Sequence, residues 1–333
     1  MTSDSQPNLA RETVRGTFWT YASYYSGKLM IFLSTIILAR LLTKDDFGVV
    51  GYALVTISFL DVLNNLGVGP ALIYHREDPK AADTGFWLGL AVSGGLLGLA
   101  WLVAPLAGWY FGDPRAIPVI RVLSLTFPLS AFSNIHDSLL RKGLAFKNKF
   151  IPDFARAVGK GLFSILFALL GFGAWSLIFG QLIGVAVTVV AYWKVLPWRP
   201  SLRFVSSLAR SLLRYGISIV ALNSLAMLLL NLDYLFIGRF MGAEALGVYT
   251  LAFRLPDLSI TQFCRVISTV VFPVYVKMRD DPSALRKGFL ITLRYVSVVT
   301  IPLGVGLALV AEPFVITILT DKWLEAIPVM QAI

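Results

Sequence analysis

Seven basic side chains fall inside apolar stretches or at their entry turns: Lys28, Arg121, Arg156, Lys160, Arg254, Arg265 and Arg294. Five acids accompany them, Asp61, Asp137, Asp153, Asp233 and Asp257. An ionisable group at bilayer depth costs about 2.5–3.5 kcal/mol on insertion scales, so it normally faces a partner or a polar cavity. Over 154–171 and its entry turn, Asp153, Arg156, Lys160 and Ser164 recur at steps of three and four residues, one face of a helix. Over 248–276, Arg254, Asp257, Thr261 and Arg265 form a second such stripe. The Asp–Arg steps permit partial pairing, yet each stripe keeps a surplus cation. Lys28 stands near the middle of the first apolar run without an adjacent acid. Ser58, Asp61 and Asn65 share a face of the second run with Asn64 beside it, and the seventh offers Asn231 and Asp233. A cavity so lined favours an anion such as phosphate, which arginine binds bidentately.

Each of these residues has a plainer reading. Arg156 and Lys160 lie within two turns of a span end, where long side chains snorkel to the interface. Asp61 fits a helix-packing role, and the Thr261 hydroxyl fits a bond back to its own helix. Lys28, Arg254 and Arg265 resist such readings and are the first candidates for a substrate path, followed by Arg156 and Lys160. Asp61, Asn65, Asp233 and Asp257 are candidates for ion coupling or for polar cavity lining.

The elements that position them are membrane helices. The chain is 57% hydrophobic and 14% charged with mean hydropathy +0.75, where soluble domains carry about 25% charged residues. Nine apolar runs are long enough to cross a bilayer: 17–39, 51–73, 84–110, 117–140, 154–171, 174–196, 216–240, 248–276 and 289–310. A tenth begins near Ile327. No stretch has the length of a soluble catalytic domain. Lone Cys264 excludes an internal disulfide, and His75 and His136 are too scattered for a histidine metal cluster. With the N-terminus in the cytoplasm, seventeen Lys and Arg residues fall in cytoplasmic segments and five in external ones. This asymmetry is the positive-inside pattern, so the net charge of +10 reads as topology rather than as nucleic-acid binding.

The chain also repeats itself. Ile37–Leu54 returns 199 residues later as Phe236–Phe253, with Arg40 on Arg239, Gly48 on Gly247, Val49 on Val248 and Ala53 on Ala252. Each copy lies between two apolar runs, which predicts a helical hairpin, and duplicated multi-helix units mark many transporters. The expected organisation is an N-terminal lobe of six transmembrane helices over 1–196 and a cytoplasmic amphipathic linker over 197–215. A partial C-terminal lobe over 216–333 would hold three helices and the start of a fourth, the second lobe lacking about three. The linker holds the turn Pro197-Trp198-Arg199-Pro200 and a short surface helix bearing Arg203, Arg210 and Arg214. The GxxxG pairs Gly85/Gly89, Gly94/Gly98, Gly180/Gly184 and Gly238/Gly242 suit close helix packing. Pro128, Pro256, Pro273 and Pro302 permit kinks.

ILARLLTKDDFGVVGYA after the first run, LNNLGVGPALIYHRE after the second and LDYLFIGRFMGAEALGVYTLAFRL in the second half resemble Wzx-type polysaccharide and O-antigen flippases. These belong to the multidrug/oligosaccharidyl-lipid/polysaccharide exporter superfamily. The resemblance implies an all-α integral membrane fold, two lobes of six-helix repeats around a central cavity. It further implies flipping of undecaprenyl-diphosphate-linked oligosaccharide from the cytoplasmic to the outer leaflet by alternating access, for capsule, exopolysaccharide or O-antigen export. The resemblance also implies that cavity cations in the first and eighth helices hold the diphosphate, for which Lys28 and Arg254 are the corresponding candidates. The implied setting is the bacterial inner membrane, with Na⁺ or H⁺ coupling, no other cofactor, and a polysaccharide polymerase with chain-length machinery as partners. The competing readings are a multidrug antiporter of the same fold, a lipid II flippase, and a membrane glycosyltransferase or polymerase. A drug exporter would want cavity acids. A transferase would want carboxylates in a sizeable loop, whereas Asp45-Asp46 and Asp280-Asp281 sit in short ones. No P-loop is present to couple ATP.

Overall fold

A computed structural model describes residues 26–64, 79–143, 145–261, 281–332 and parts of 263–278. All regular structure among them is helical: α1 over 26–41, α2 Lys44–Asn64, α3 Pro79–Phe111, α4 Ala116–Leu123, α5 Thr126–Lys142, α6 Phe146–Leu169, α7 Ala174–Val195, α8 Ser206–Phe240, α9 Gly242–Ala252, α10 Pro282–Phe314 and α11 Ala326–Ala332. Among the described residues, five segments are long and apolar enough to cross a membrane: Lys44–Asn64, Ala81–Phe111, Ala116–Lys142, Ala174–Val195 and Pro282–Leu319. The chain divides into two compact units, Met1–Leu246 and Gly247–Ile333.

Local chemistry explains where helices begin and end. Thr43 and Asp46 cap α2 reciprocally: the Thr43 hydroxyl donates to Asp46 Oδ2 at 2.8 Å and accepts from the Asp46 N–H at 3.1 Å. The second helix therefore starts at Lys44, earlier than the apolar run at 51 implies, because charged residues serve in its first turn. Proline sets two other boundaries by excluding the carbonyl four residues back. Pro128 acts on Ser124, and the predicted fourth span is broken at Ser124–Leu125 into α4 and α5. Pro256 acts on Ala252, where α9 stops, so the predicted eighth span is not one continuous helix. A π-helical turn over Asp257–Thr261 follows.

The two copies of the repeat share a local form. In the first, α1 ends at 41 and α2 begins at Lys44; in the second, α8 ends at Phe240 and α9 begins at Gly242, whose φ of +85° suits glycine. The expected linker helix is not separate: α8 runs unbroken from Ser206 to Phe240. Its start is pinned to the first unit. Ser201 N–H donates to Asp83 Oδ1 at 3.0 Å, Trp87 Nε1 donates to Ser201 O at 2.9 Å, and Trp198 packs on Phe86 and His136.

The core of the first unit gathers Tyr52, Ala53, Ala100, Ala104, Phe111, Ile120, Phe127, Ile178 and Leu246. Tyr52 stacks on Phe111 with ring centroids 4.4 Å apart. At one end of the unit Arg115 joins Asp45 of α2 to Asp113 of the α3–α4 turn, at 2.8 Å to each. The hydrogen bonds from Arg115 hold the Asp113 carboxyl below the usual carboxylate range, and the two carboxylates push the guanidinium pKa up. Arg239 on α8 donates to the Trp109 carbonyl at 3.3 Å and to that of Tyr110.

Candidate cationic site of the first unit

The candidate site is built on α1 and α6, with α7 as its support, and α2 carries the nearby candidate Asp61. Helix α1 meets α6 through small residues: a methyl on Gly27 would rest 3.8 Å from Ala157 Cβ, and one on Gly161 would crowd the Ser34 hydroxyl and stand 3.1 Å from Ser34 Cβ. Lys28 follows Gly27 directly, so its backbone lies at the level of Ala157, between Arg156 and Lys160. The Lys28 side chain is half-buried, Lys160 likewise, and Arg156 is exposed. Asp61 lies near the end of α2. Behind it runs a polar chain: Asn64 Nδ2 donates to Asp61 Oδ1 at 3.3 Å, and the Ser93 hydroxyl of α3 donates to Asn64 Oδ1 at 2.8 Å.

Helix α7 sets how α6 presents its charges. Its Gly180 and Gly184 remove the bulk that would part the two helices. A methyl on Gly180 would stand 2.9 Å from Lys160 O, and one on Gly184 would stand 2.9 Å from Lys160 Cβ. Of the predicted GxxxG pairs, Gly180/Gly184 is thus a true contact, whereas a methyl on Gly94 or Gly98 meets nothing within 4 Å.

That contact splits the predicted stripe on α6. Ser164 is fully buried under α7, and its hydroxyl has no hydrogen-bond partner among the described residues. Asp153 turns to a separate ion cluster: Lys149 lies 3.1 Å from Asp153 Oδ2 and also bridges Asp137. There Arg141 Nε meets Asp137 Oδ2 at 2.7 Å, and the Tyr192 hydroxyl donates to Asp137 Oδ1 at 2.8 Å. Only Arg156 and Lys160 of that stripe remain on the side of α6 that adjoins Lys28. Sequence reasoning missed the cluster around Lys149 because its members come from three helices. Part of its signal was nonetheless local, since Lys149 and Asp153 stand four residues apart on α6.

The second stripe belongs to the second unit and is no regular α-helical face. Arg254 is half-buried in the short turn Arg254–Pro256, and Asp257 and Thr261 lie in the π-helical turn. A π turn advances more residues per revolution than an α-helix, so steps of three and four no longer stack. Arg265 and Asn65 lie outside the described residues. Asp233 is half-buried on α8.

Long apolar helices that hold charged side chains among them define a multi-pass membrane protein. Solved transporters have the same fold: the lipid II flippase MurJ in an inward closed conformation matches with TM-score 0.73 at 15% identity, over 94% of this chain and 71% of that one. An inward-facing multidrug resistance MATE family transporter matches with TM-score 0.67 at 19% identity, over 92% and 75%. More particularly, the chain belongs to the polysaccharide biosynthesis protein family, whose model matches residues 37–328. It is similar to the teichuronic acid biosynthesis protein TuaB of Bacillus subtilis (strain 168), 24% identical over 98% of this chain and 68% of that one. The succinoglycan biosynthesis transport protein ExoT of Rhizobium meliloti (strain 1021) is 27% identical over 96% and 65%. The lipopolysaccharide biosynthesis protein WzxC of Escherichia coli (strain K12) is 27% identical over 97% and 66%. The chain spans about two thirds of the length of these relatives.

Proposed function

We propose that this chain is part of a flippase that moves a lipid-linked oligosaccharide, carried on undecaprenyl diphosphate, from the cytoplasmic to the outer leaflet of a bacterial inner membrane. The observation that carries the reading is the close approach of α1 to α6, which brings Lys28 to the level of Arg156 and Lys160. A diphosphate is a doubly anionic, multi-oxygen group, and charge-assisted hydrogen bonds from lysine and arginine bind it strongly. The names of the relatives, a succinoglycan transport protein among them, supply the substrate class. The oligosaccharide head group crosses through the polar interior while the polyprenyl tail stays in lipid. Transport proceeds by alternating access of two lobes, and no covalent bond is made or broken. Arg254 and Arg265 supply the second lobe's cations, and Asp61, Asn65, Asp233 and Asp257 supply coupling or polar lining for Na⁺ or H⁺. The N-terminus is cytoplasmic, and a polymerase with chain-length machinery takes the product.

The test uses cells lacking the full-length gene, with lipid-linked oligosaccharide followed by mass spectrometry and by its accessibility from outside. Accumulation on the cytoplasmic leaflet, rescued by the wild-type gene but not by Lys28→Ala or Arg254→Ala, supports the flippase. Normal glycan display together with lost efflux of small organic cations overturns it in favour of a drug antiporter.

A further inference from the structure

Helix α10 is longer than a membrane crossing needs. Its 33 residues make a rod of roughly 50 Å, against about 30 Å of bilayer hydrocarbon. After Arg294 the next charged residue is Glu312, and the uncharged stretch between them reaches about 26 Å, most of that core. Placing that uncharged stretch across the core puts the first three turns of α10 at head-group level, with Arg294 at the boundary.

At that level lies an open groove of about 610 Å³, lined by Ser283, Arg286, Lys287, Leu290, Ile291 and Arg294 among others. Positions 286, 287, 290, 291 and 294 share one helical face. All five side chains are exposed, Leu290 at 51% and Ile291 at 46%. None of the three cations is in an ion pair among the described residues. The free N–H groups of the helix end are already taken: the Asp281 carboxylate accepts from Ser283 N at 2.9 Å and Ala284 N at 3.0 Å. Anion affinity here comes from the side-chain cations alone.

We propose that this groove docks the head group of an anionic membrane phospholipid. Its phosphate lies among Arg286, Lys287 and Arg294, and its first acyl carbons lie over Leu290 and Ile291 towards the core. Charge complementarity selects an anion, and the apolar pair between the cations selects an amphiphile over a soluble one. The inference concerns the second unit alone and stands apart from the transport reading.

The test is native mass spectrometry of the purified full chain titrated with phosphatidylglycerol or phosphatidylcholine. We expect retention of phosphatidylglycerol over phosphatidylcholine, lowered by roughly tenfold or more in an Arg286→Gln/Lys287→Gln/Arg294→Gln variant. An Arg286→Lys/Arg294→Lys variant retains the preference, and it serves as the comparison if the glutamine variant does not fold. Equal retention of both lipids overturns the proposal. So does displacement by inorganic phosphate or pyrophosphate at matched concentration, which marks a soluble-anion site. Preferential retention of a polyprenyl diphosphate over phosphatidylglycerol also overturns it, marking a substrate entry site instead.

Discussion

Gly48 of α2 faces the backbone of Ala243 at the start of α9 so closely that a methyl there would lie 2.7 Å from Ala243 Cα and overlap its carbonyl. The contact joins the two copies of the repeat, since Gly48 sits in the first and Ala243 in the second. Backbone, unlike a side-chain tip, has no rotamer into which it can retreat. Gly48→Ala is expected to lower stability by about 1–3 kcal/mol, the usual range for overpacking. The thermal midpoint of the purified protein in detergent checks this; an unchanged midpoint refutes the contact.

Lys149 ties Asp137 to Asp153 with its own side chain 18% exposed. Lys149→Met leaves two partly buried carboxylates facing each other. Removing one partner of a buried pair costs about 3–5 kcal/mol, and the partial exposure of Asp153 brings the expected loss to roughly 2–3 kcal/mol. Adding Asp137→Asn to that variant should recover part of the loss. Denaturant midpoints of the single and double variants decide it, and a double variant weaker than the single refutes the arrangement.

Asp113 has its folded-state pKa lowered, chiefly by hydrogen bonds from Arg115. A depressed carboxylate contributes stability above its unfolded pKa of about 3.9 and loses it as pH falls through the folded value. Acidification below about pH 4 should therefore loosen the Asp45–Arg115–Asp113 tie. Asp113→Asn should flatten this part of the stability curve, as thermal midpoints measured between neutral and strongly acidic pH will show. The same slope in both proteins would place the acid sensitivity elsewhere.

Ser164 shares a helical face with Arg156 and Lys160, yet it lies fully buried against α7 with its hydroxyl unpaired among the described residues. Ser164→Ala should leave glycan display unchanged and stability within about 0.5 kcal/mol of wild type, or slightly improved. Arg156→Ala and Lys160→Gln should depress display while folded protein persists at normal level. Complementation of the gene deletion with membrane-fraction immunoblots separates the two outcomes. A loss in Ser164→Ala equal to that in Lys160→Gln would restore the stripe as one surface.

The sequence by itself determined whatever depends on neighbours a few residues away. Apolar length and composition foretold membrane helices, and the Ile37–Leu54 echo foretold the helix–turn–helix form at 41–44 and 240–242. The Thr43–Asp46 cap and the breaks four residues before Pro128 and Pro256 follow from the same local rules. One boundary has no local signal: nothing in the basic, serine-rich start of α8 stops the helix from continuing into the apolar run, so the expected short helix is the first part of a longer one. Tertiary structure alone decided which charges keep company. Asp153, Arg156, Lys160 and Ser164 are equivalent by periodicity, and only the approach of Gly180 and Gly184 buries Ser164 while leaving Arg156 exposed. Likewise Lys149 finds Asp137 and Tyr192 on two other helices. Helical spacing states which side chains share a face, but the neighbouring helix that packs there determines whether that face meets protein, polar cavity or lipid.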